Sequence, residues 1–138
     1  MRLSKNFVLS EIIRSNTAKR LGISNEPTKK HLSNIQRITT NLLQPIRDAL
    51  GPIRVTSGYR SQALNHAIGG SYKSQHCKAQ ALDLQFWKEG EMCNKEIYDW
   101  VIESGLEFDQ MINEFDFSWI HLSLKKSKNR KQVLIAYK

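Results

Sequence analysis

Cysteine occurs only twice in the 138 residues, as Cys77 and Cys93, and not at CxxC spacing. Two such thiols are too few for a disulfide framework and wrongly spaced for a thiolate zinc site, so a reduced, cytoplasmic place of synthesis is expected. Long apolar runs are missing as well. The opening stretch MRLSKNFVLSEIIRSNTAKR carries basic residues without an uninterrupted apolar core of signal-peptide length, and no later run approaches the ~20 apolar residues of a membrane-spanning helix. Neither a signal peptide nor membrane insertion is expected. Acidic residues are the minority, 13 against 21 Lys and Arg, for a formal charge of +8. That balance favours polyanions, but nucleic acid, anionic lipid and cell wall all qualify, so charge alone does not choose a partner. No repeat, linker or low-complexity tract interrupts the chain. With 40% hydrophobic and 25% charged residues it leaves the disordered, collagen-like and coiled-coil classes without compositional support. One domain over residues 1–138, monomeric and long enough to bury a core, is expected.

From Leu9 to Leu21 the positions Ile12, Ile13 and Leu21 suit a short helix, with Ser10 as its N-cap and Gly22 at its end. A second helical pattern runs from Thr28 to Leu50, with Leu32, Ile35, Ile38, Leu42, Ile46 and Leu50 at three- and four-residue steps. Pro45 should kink or divide it. Ile53 to Ser57 reads as a strand, Ser61 to Ile68 as a helix, and Ala81 to Phe86 as a strand whose alternation puts Leu82, Leu84 and Phe86 opposite Asp83 and Gln85. A helix from about Glu91 to Ser104 ends at Gly105. Three strands follow, Phe108 to Glu114, Trp119 to Leu124 and Val133 to Tyr137, with lysine-rich Lys125 to Lys131 linking the last two. Helices early and strands late predict an α+β domain with a mainly antiparallel sheet packed by helices.

A hydrolytic zinc site needs three ligands drawn from His, Asp and Glu, with one position open to water. Of the four histidines, His31 lies in the long helical pattern and His66 in a short one, and both read better as surface or structural residues. His76 differs, because it sits in a loop after Ser74-Gln75 and precedes the strand that carries Asp83. A loop-to-strand hairpin can bring the two together, although a His seven residues before an Asp arises by chance often enough. Cys77, next to His76, is set aside because neighbouring side chains of extended chain point apart.

Order and context add what spacing alone does not. The segment SGYRSQALNHAIGGSYKSQHCKAQALDLQF, followed by WIHLSL, resembles the zinc D-alanyl-D-alanine carboxypeptidase and L-alanyl-D-glutamate peptidase family, whose fold is shared with the Hedgehog signalling domain. The family pattern is Ser-x-His, a small residue, Ala-x-Asp, then a tryptophan-containing strand that ends in His. Ser74, His76, Ala81, Asp83, Trp119 and His121 match it. NFVLSEIIRSNTAKRLGISNEPT and LLQPIRDALG look like short phage-associated members, so the resemblance covers nearly the whole chain. It implies one zinc ion held by His76, Asp83 and His121, a peptidoglycan peptide as substrate, and a phage or prophage lysis enzyme that reaches the wall after release.

Two positions depart from the pattern. Ala79 stands where glycine is common, which is tolerable if φ there is not positive. Ser118 stands where many relatives carry the catalytic Asp or Glu, and serine does not accept protons near neutral pH. Glu114 is the candidate base instead: a two-residue turn at Asp116-Phe117 would set Glu114 opposite Trp119 and Ile112 opposite His121, on one face of the sheet. The segment Gln110-Met111-Ile112-Asn113-Glu114 also resembles a Gln-x-Ile-x-Glu element of the short phage-type members. Asp116 is the second candidate. By the resemblance Arg60 meets a substrate carboxylate or polarises the scissile carbonyl, with a structural ion pair as the plainer reading. Ser74 and Gln75 either position substrate or hold their own loop. Two rivals remain: a catalytically inactive, metal-containing wall-binding module, to which Ser118 points, and a nucleic-acid-binding domain, which the lysine-rich link alone supports and no recognition motif does.

Overall fold

In the computed structural model, which describes residues 1–137, the amino-terminal helical pattern is two helices, α1 (Leu9–Ile13) and α2 (Asn16–Leu21). Arg14 is extended, and the Ser15 hydroxyl accepts from the Ala18 amide, so a second cap restarts the helix where one was expected to run through. Ser10 lies inside α1, and it is Glu11 that reaches back to the amide of Val8. Gly22 ends α2 in the left-handed region, as expected.

The long pattern folds as α3 (Lys29–Ile38), a π-helical turn (Thr39–Leu43) and α4 (Gln44–Leu50) without a break. Pro45 sits in the first turn of α4, and the Gln44 amide reaches Thr39 across the widened turn just before it. A π turn makes room for a ring that lacks a donor, so the proline is absorbed instead of dividing the helix. The apolar stripe is core as expected: Ile35, Ile38, Leu42, Leu43 and Ile46 are all buried.

The rest follows the expected order: β1 (Ile53–Ser57), α5 (Gln62–Ala67), β2 (Ala81–Lys88), β3 (Glu91–Met92), α6 (Asn94–Ser104), β4 (Gln110–Glu114), β5 (Trp119–Ser123) and β6 (Gln132–Ala136). Glu91 and Met92, expected in the helix, instead pair with the end of β2. The sheet runs β1-β2-β5-β4-β6 and is antiparallel except where β6 lies parallel to β4. The architecture is α+β with a mainly antiparallel sheet. Leu82, Leu84, Phe86, Ile120, Leu122 and Met111 form the buried face, packed with the α3, α4 and α6 core. The opposite face carries Asp83, Gln85, Glu114, Trp119 and His121, all half-buried. Lys138, the last residue of the expected domain, lies outside the described residues.

The β4–β5 connection is longer than the two-residue turn expected. Residues 115–118 form it, with Phe115, Asp116 and Phe117 at φ of 51, 56 and 59 and the Ser118 amide bonded to the Glu114 carbonyl. The register is nevertheless the expected one, Glu114 opposite Trp119 and Ile112 opposite His121. The Asn113 side chain accepts from the Phe117 amide and secures the loop.

Candidate metal centre

Three chain segments converge on the exposed face of the sheet. Asp83 on β2 and His121 on β5 are direct cross-strand partners, so the period-2 alternation of both strands sends their side chains to the same side. His76 arrives from the loop after α5. One ligand atom from each of His76, Asp83 and His121 lies within 4.8 Å of the others. His121 Nδ1 is 3.1 Å and His76 Nε2 is 3.4 Å from the same Asp83 oxygen, and the two rings meet edge to face at 5.2 Å. Burial would raise the Asp83 carboxyl, but the hydrogen bonds from His121 and His76 outweigh it and hold the group well below the usual carboxylate range. It is therefore ionised, the form that binds a cation.

His76 is 3% exposed and is oriented from behind. Its Nδ1 lies 2.7 Å from the Gly58 carbonyl, which must accept, so Nδ1 carries a proton and Nε2 is the nitrogen turned toward Asp83. Gly58 owes its place to a bulge in β1 between Val55 and Ser57. The Ser74 hydroxyl accepts from the His76 amide, and the Arg60 amide bonds to the His76 carbonyl. Two imidazole nitrogens and one carboxylate oxygen, converging with a side left to solvent, are the donor set of a hydrolytic zinc site.

Glu114 stands one strand further along the same face. Burial raises its carboxyl above the ordinary value; Asp83 adds to the rise, while His121 and His76 oppose it. All three residues of the cluster thus act on Glu114. Asp116 is exposed at the tip of the loop. Ser118 donates its hydroxyl to the Phe115 carbonyl as part of the turn.

Arg60, Ser74 and Gln75 all line a cleft of about 650 Å3 that opens beside His121. The Arg60 Nε is buried without a hydrogen-bond partner among the described residues. Gln75 donates to Gln80 and to Asp109, so its amide also ties the loop down. His31 caps α3 with Thr28 and packs on Tyr59, while His66 is exposed on α5; neither joins the cluster. Cys77 stays outside it too, for a different reason from the one expected. The chain there is turned, not extended, and the thiol is buried, its pKa pushed up by that burial.

Ala79 does adopt a positive φ, 58°, against the condition set from the sequence. A left-handed conformation costs a residue with a Cβ roughly 1–2 kcal/mol. The Ala79 side chain is buried in the core cluster, and burying a methyl offsets about 0.8 kcal/mol of that cost.

Sequence reasoning overlooked two residues. Gly58 acts through a backbone carbonyl, which no side-chain pattern announces. Asp109 is fully buried just before β4, where its carboxylate accepts from Arg130 Nε at 3.0 Å, Arg130 Nη2 at 2.7 Å, the Arg130 amide and Gln75 Nε2, with Lys125 Nζ at 3.6 Å. It pins the 124–131 crossover that lays β6 beside β4 and ties that crossover to the His76 loop. Hydrogen bonds from Arg130 lower the Asp109 pKa, outweighing burial. A depressed carboxylate stabilises the fold above its unfolded pKa of about 3.9 and loses that contribution as pH falls below it. Urea midpoints of Asp109→Asn should therefore lie below those of the unmodified protein at pH 7, and the gap should narrow only as pH falls from about 3.9 toward the depressed native pKa; a gap that stays constant through that acid range would contradict this.

The cluster offers a donor set that could hold a metal ion on the open face of a mainly antiparallel sheet. The peptidase M15 family model matches residues 5–123, and the chain belongs to that family. At the family level it is a zinc-dependent metallopeptidase directed at peptidoglycan. No curated protein matches the chain.

Proposed function

We propose that His76, Asp83 and His121 hold a single zinc ion and that Glu114 is the general base of an amide hydrolysis in the peptide stems or cross-links of peptidoglycan. The convergence of three ligand atoms within 4.8 Å, with Glu114 on the same sheet face, carries this reading. Bound zinc supplies a Lewis acid that lowers the pKa of a water molecule and polarises an amide carbonyl. Glu114 takes the proton of the attacking water and returns it to the leaving amine; its raised pKa brings it closer to the working pH, as general-base catalysis favours. Arg60 binds a substrate carboxylate or the scissile carbonyl, and its unpartnered Nε supports that role. Ser74 and Gln75 keep His76 in place and line the substrate cleft. The proposed peptidase unit spans the chain and works as a monomer. Its similarity to short phage-associated members supports a phage or prophage lysis enzyme acting on the wall after release.

Digestion of purified muropeptides, read by mass spectrometry, tests the reaction and identifies the bond: a terminal D-alanine, the L-alanyl-D-glutamate link or a cross-bridge. Activity should vanish on chelation and return with one equivalent of zinc. Protein that holds zinc and binds peptidoglycan yet leaves every muropeptide intact would be the inactive wall-binding module instead.

A further inference from the structure

The cleft beside His121 is strongly one-sided in charge. Arg60, Lys73, Lys78, Lys125 and Arg130 line it, and Asp109 is the one carboxylate among the lining residues. That carboxylate is consumed from within, since its oxygens are taken by Arg130, Gln75 and Lys125. The arrangement leaves Arg130 in an unusual state. One edge of its guanidinium, Nε and Nη2, is docked on a fully buried acid, so the planar group is held in a fixed orientation although half of the side chain is solvent-exposed. Of its five N–H groups, the other three donate to no acceptor among the described residues. An oriented guanidinium with a free edge is matched to a carboxylate, which it can grip with two parallel hydrogen bonds.

Resting on the peptidase reading above, we infer that Arg130 is a substrate-binding residue that selects stem peptides carrying a free carboxylate next to the bond presented at His121, with Asp109 as its positioning residue. A peptide suits the cleft better than an extended phosphate polymer, because an occupant that reaches His121 must also present an amide there, and stem peptides carry both groups within a few atoms. Lys125, already drawn toward Asp109, adds charge without the planar fork. The selection thus depends on one guanidinium edge and not on the overall basicity of the protein.

Calorimetric titration tests this in Glu114→Gln protein of residues 1–138, which keeps the cleft while slowing turnover. The probes are the stem tetrapeptide L-alanyl-γ-D-glutamyl-L-lysyl-D-alanine with free carboxylates and the same peptide with both carboxylates as amides. The acid should bind at least tenfold more tightly than the amide, the scale of a charge-assisted bidentate contact. Adding Arg130→Lys keeps a cation over Asp109, so the fold is preserved, but removes the second edge. Discrimination between the peptides should then fall several-fold, with little change in binding of the amide. Equal binding of acid and amide by the Glu114→Gln protein overturns the inference before Arg130 is changed. Discrimination unchanged by Arg130→Lys assigns the carboxylate to Arg60 and overturns it too, as does equal weakening of both peptides, the mark of a structural role. Muropeptide hydrolysis by the unmodified protein is measured separately, so intact muropeptides alongside preserved discrimination would count against the peptidase reading alone.

Discussion

Glu114→Gln should lower kcat on muropeptides by about 10²- to 10⁴-fold while leaving zinc content and the melting temperature nearly unchanged. The magnitude is that of a lost general base. Zinc should stay because Glu114 is not among the three convergent ligands, and the fold should stay because the amide nearly matches the carboxylate in size. Glutamine cannot accept the proton, and its neutrality removes the rate dependence on the half-buried Glu114 carboxyl, whose pKa burial and Asp83 push up. Asp116→Asn is the companion measurement. Exposed at the tip of the 115–118 loop, it should change kcat by no more than about threefold, the scatter expected of surface charges. A full-rate Glu114→Gln enzyme together with a crippled Asp116→Asn enzyme would reverse the two assignments.

Gly58→Ala is expected to damage both stability and metal affinity. A Cβ built on Gly58 falls 2.2 Å from the backbone oxygen of Ile12 and 2.9 Å from its Cγ2. That oxygen already accepts from the Tyr59 amide, so α1 and the end of β1 are held together where the methyl group would intrude. Backbone cannot rotate away as a side-chain tip can, so the two segments must separate, at about 1–3 kcal/mol for an overpacked site. The same shift moves the Gly58 carbonyl that orients His76, and losing such an outer partner typically costs 10- to 100-fold in metal affinity. Urea denaturation of the metal-free protein reads the first effect and zinc competition titration the second. Loss of stability with unchanged zinc affinity would mean that the Gly58 carbonyl is dispensable for the ligand geometry.

Gly58 and Asp109 show where a linear reading stops. The strand Ala81 to Phe86 and the face of Asp83 were legible because alternation is a local property of extended chain. The long apolar stripe was legible as core for the same reason, at helical period. Helix boundaries were less so: Ser15 and Ser10 are both chemically fit to cap, and only the extended Arg14 settles which one does. The π turn before Pro45 was hidden because proline forbids a donor locally without saying how the surrounding turn will adjust.

At the candidate site the division is similar. The residue types His76, Asp83, His121 and Glu114, their order, and the family they resemble are all written in the chain, because donor chemistry belongs to individual side chains. Their meeting depends on pairing β2 with β5 and β5 with β4, contacts that join residues as far apart as Ala81 and Ser123 and set Asp83 against His121, 38 positions away. The Glu114 register was derived from a turn that does not exist in the assumed form; a longer loop with three left-handed residues reaches the same pairing. The His76 orientation, the buried Asp109 pin and the fixed edge of Arg130 come from groups distant in sequence packed out of water, where an unpaired polar atom is costly and partners must be found across the fold. The sequence by itself therefore determined which chemistry was on hand, and the tertiary structure decided which groups meet, because a side chain's chemistry is local whereas its neighbours are set by long-range packing.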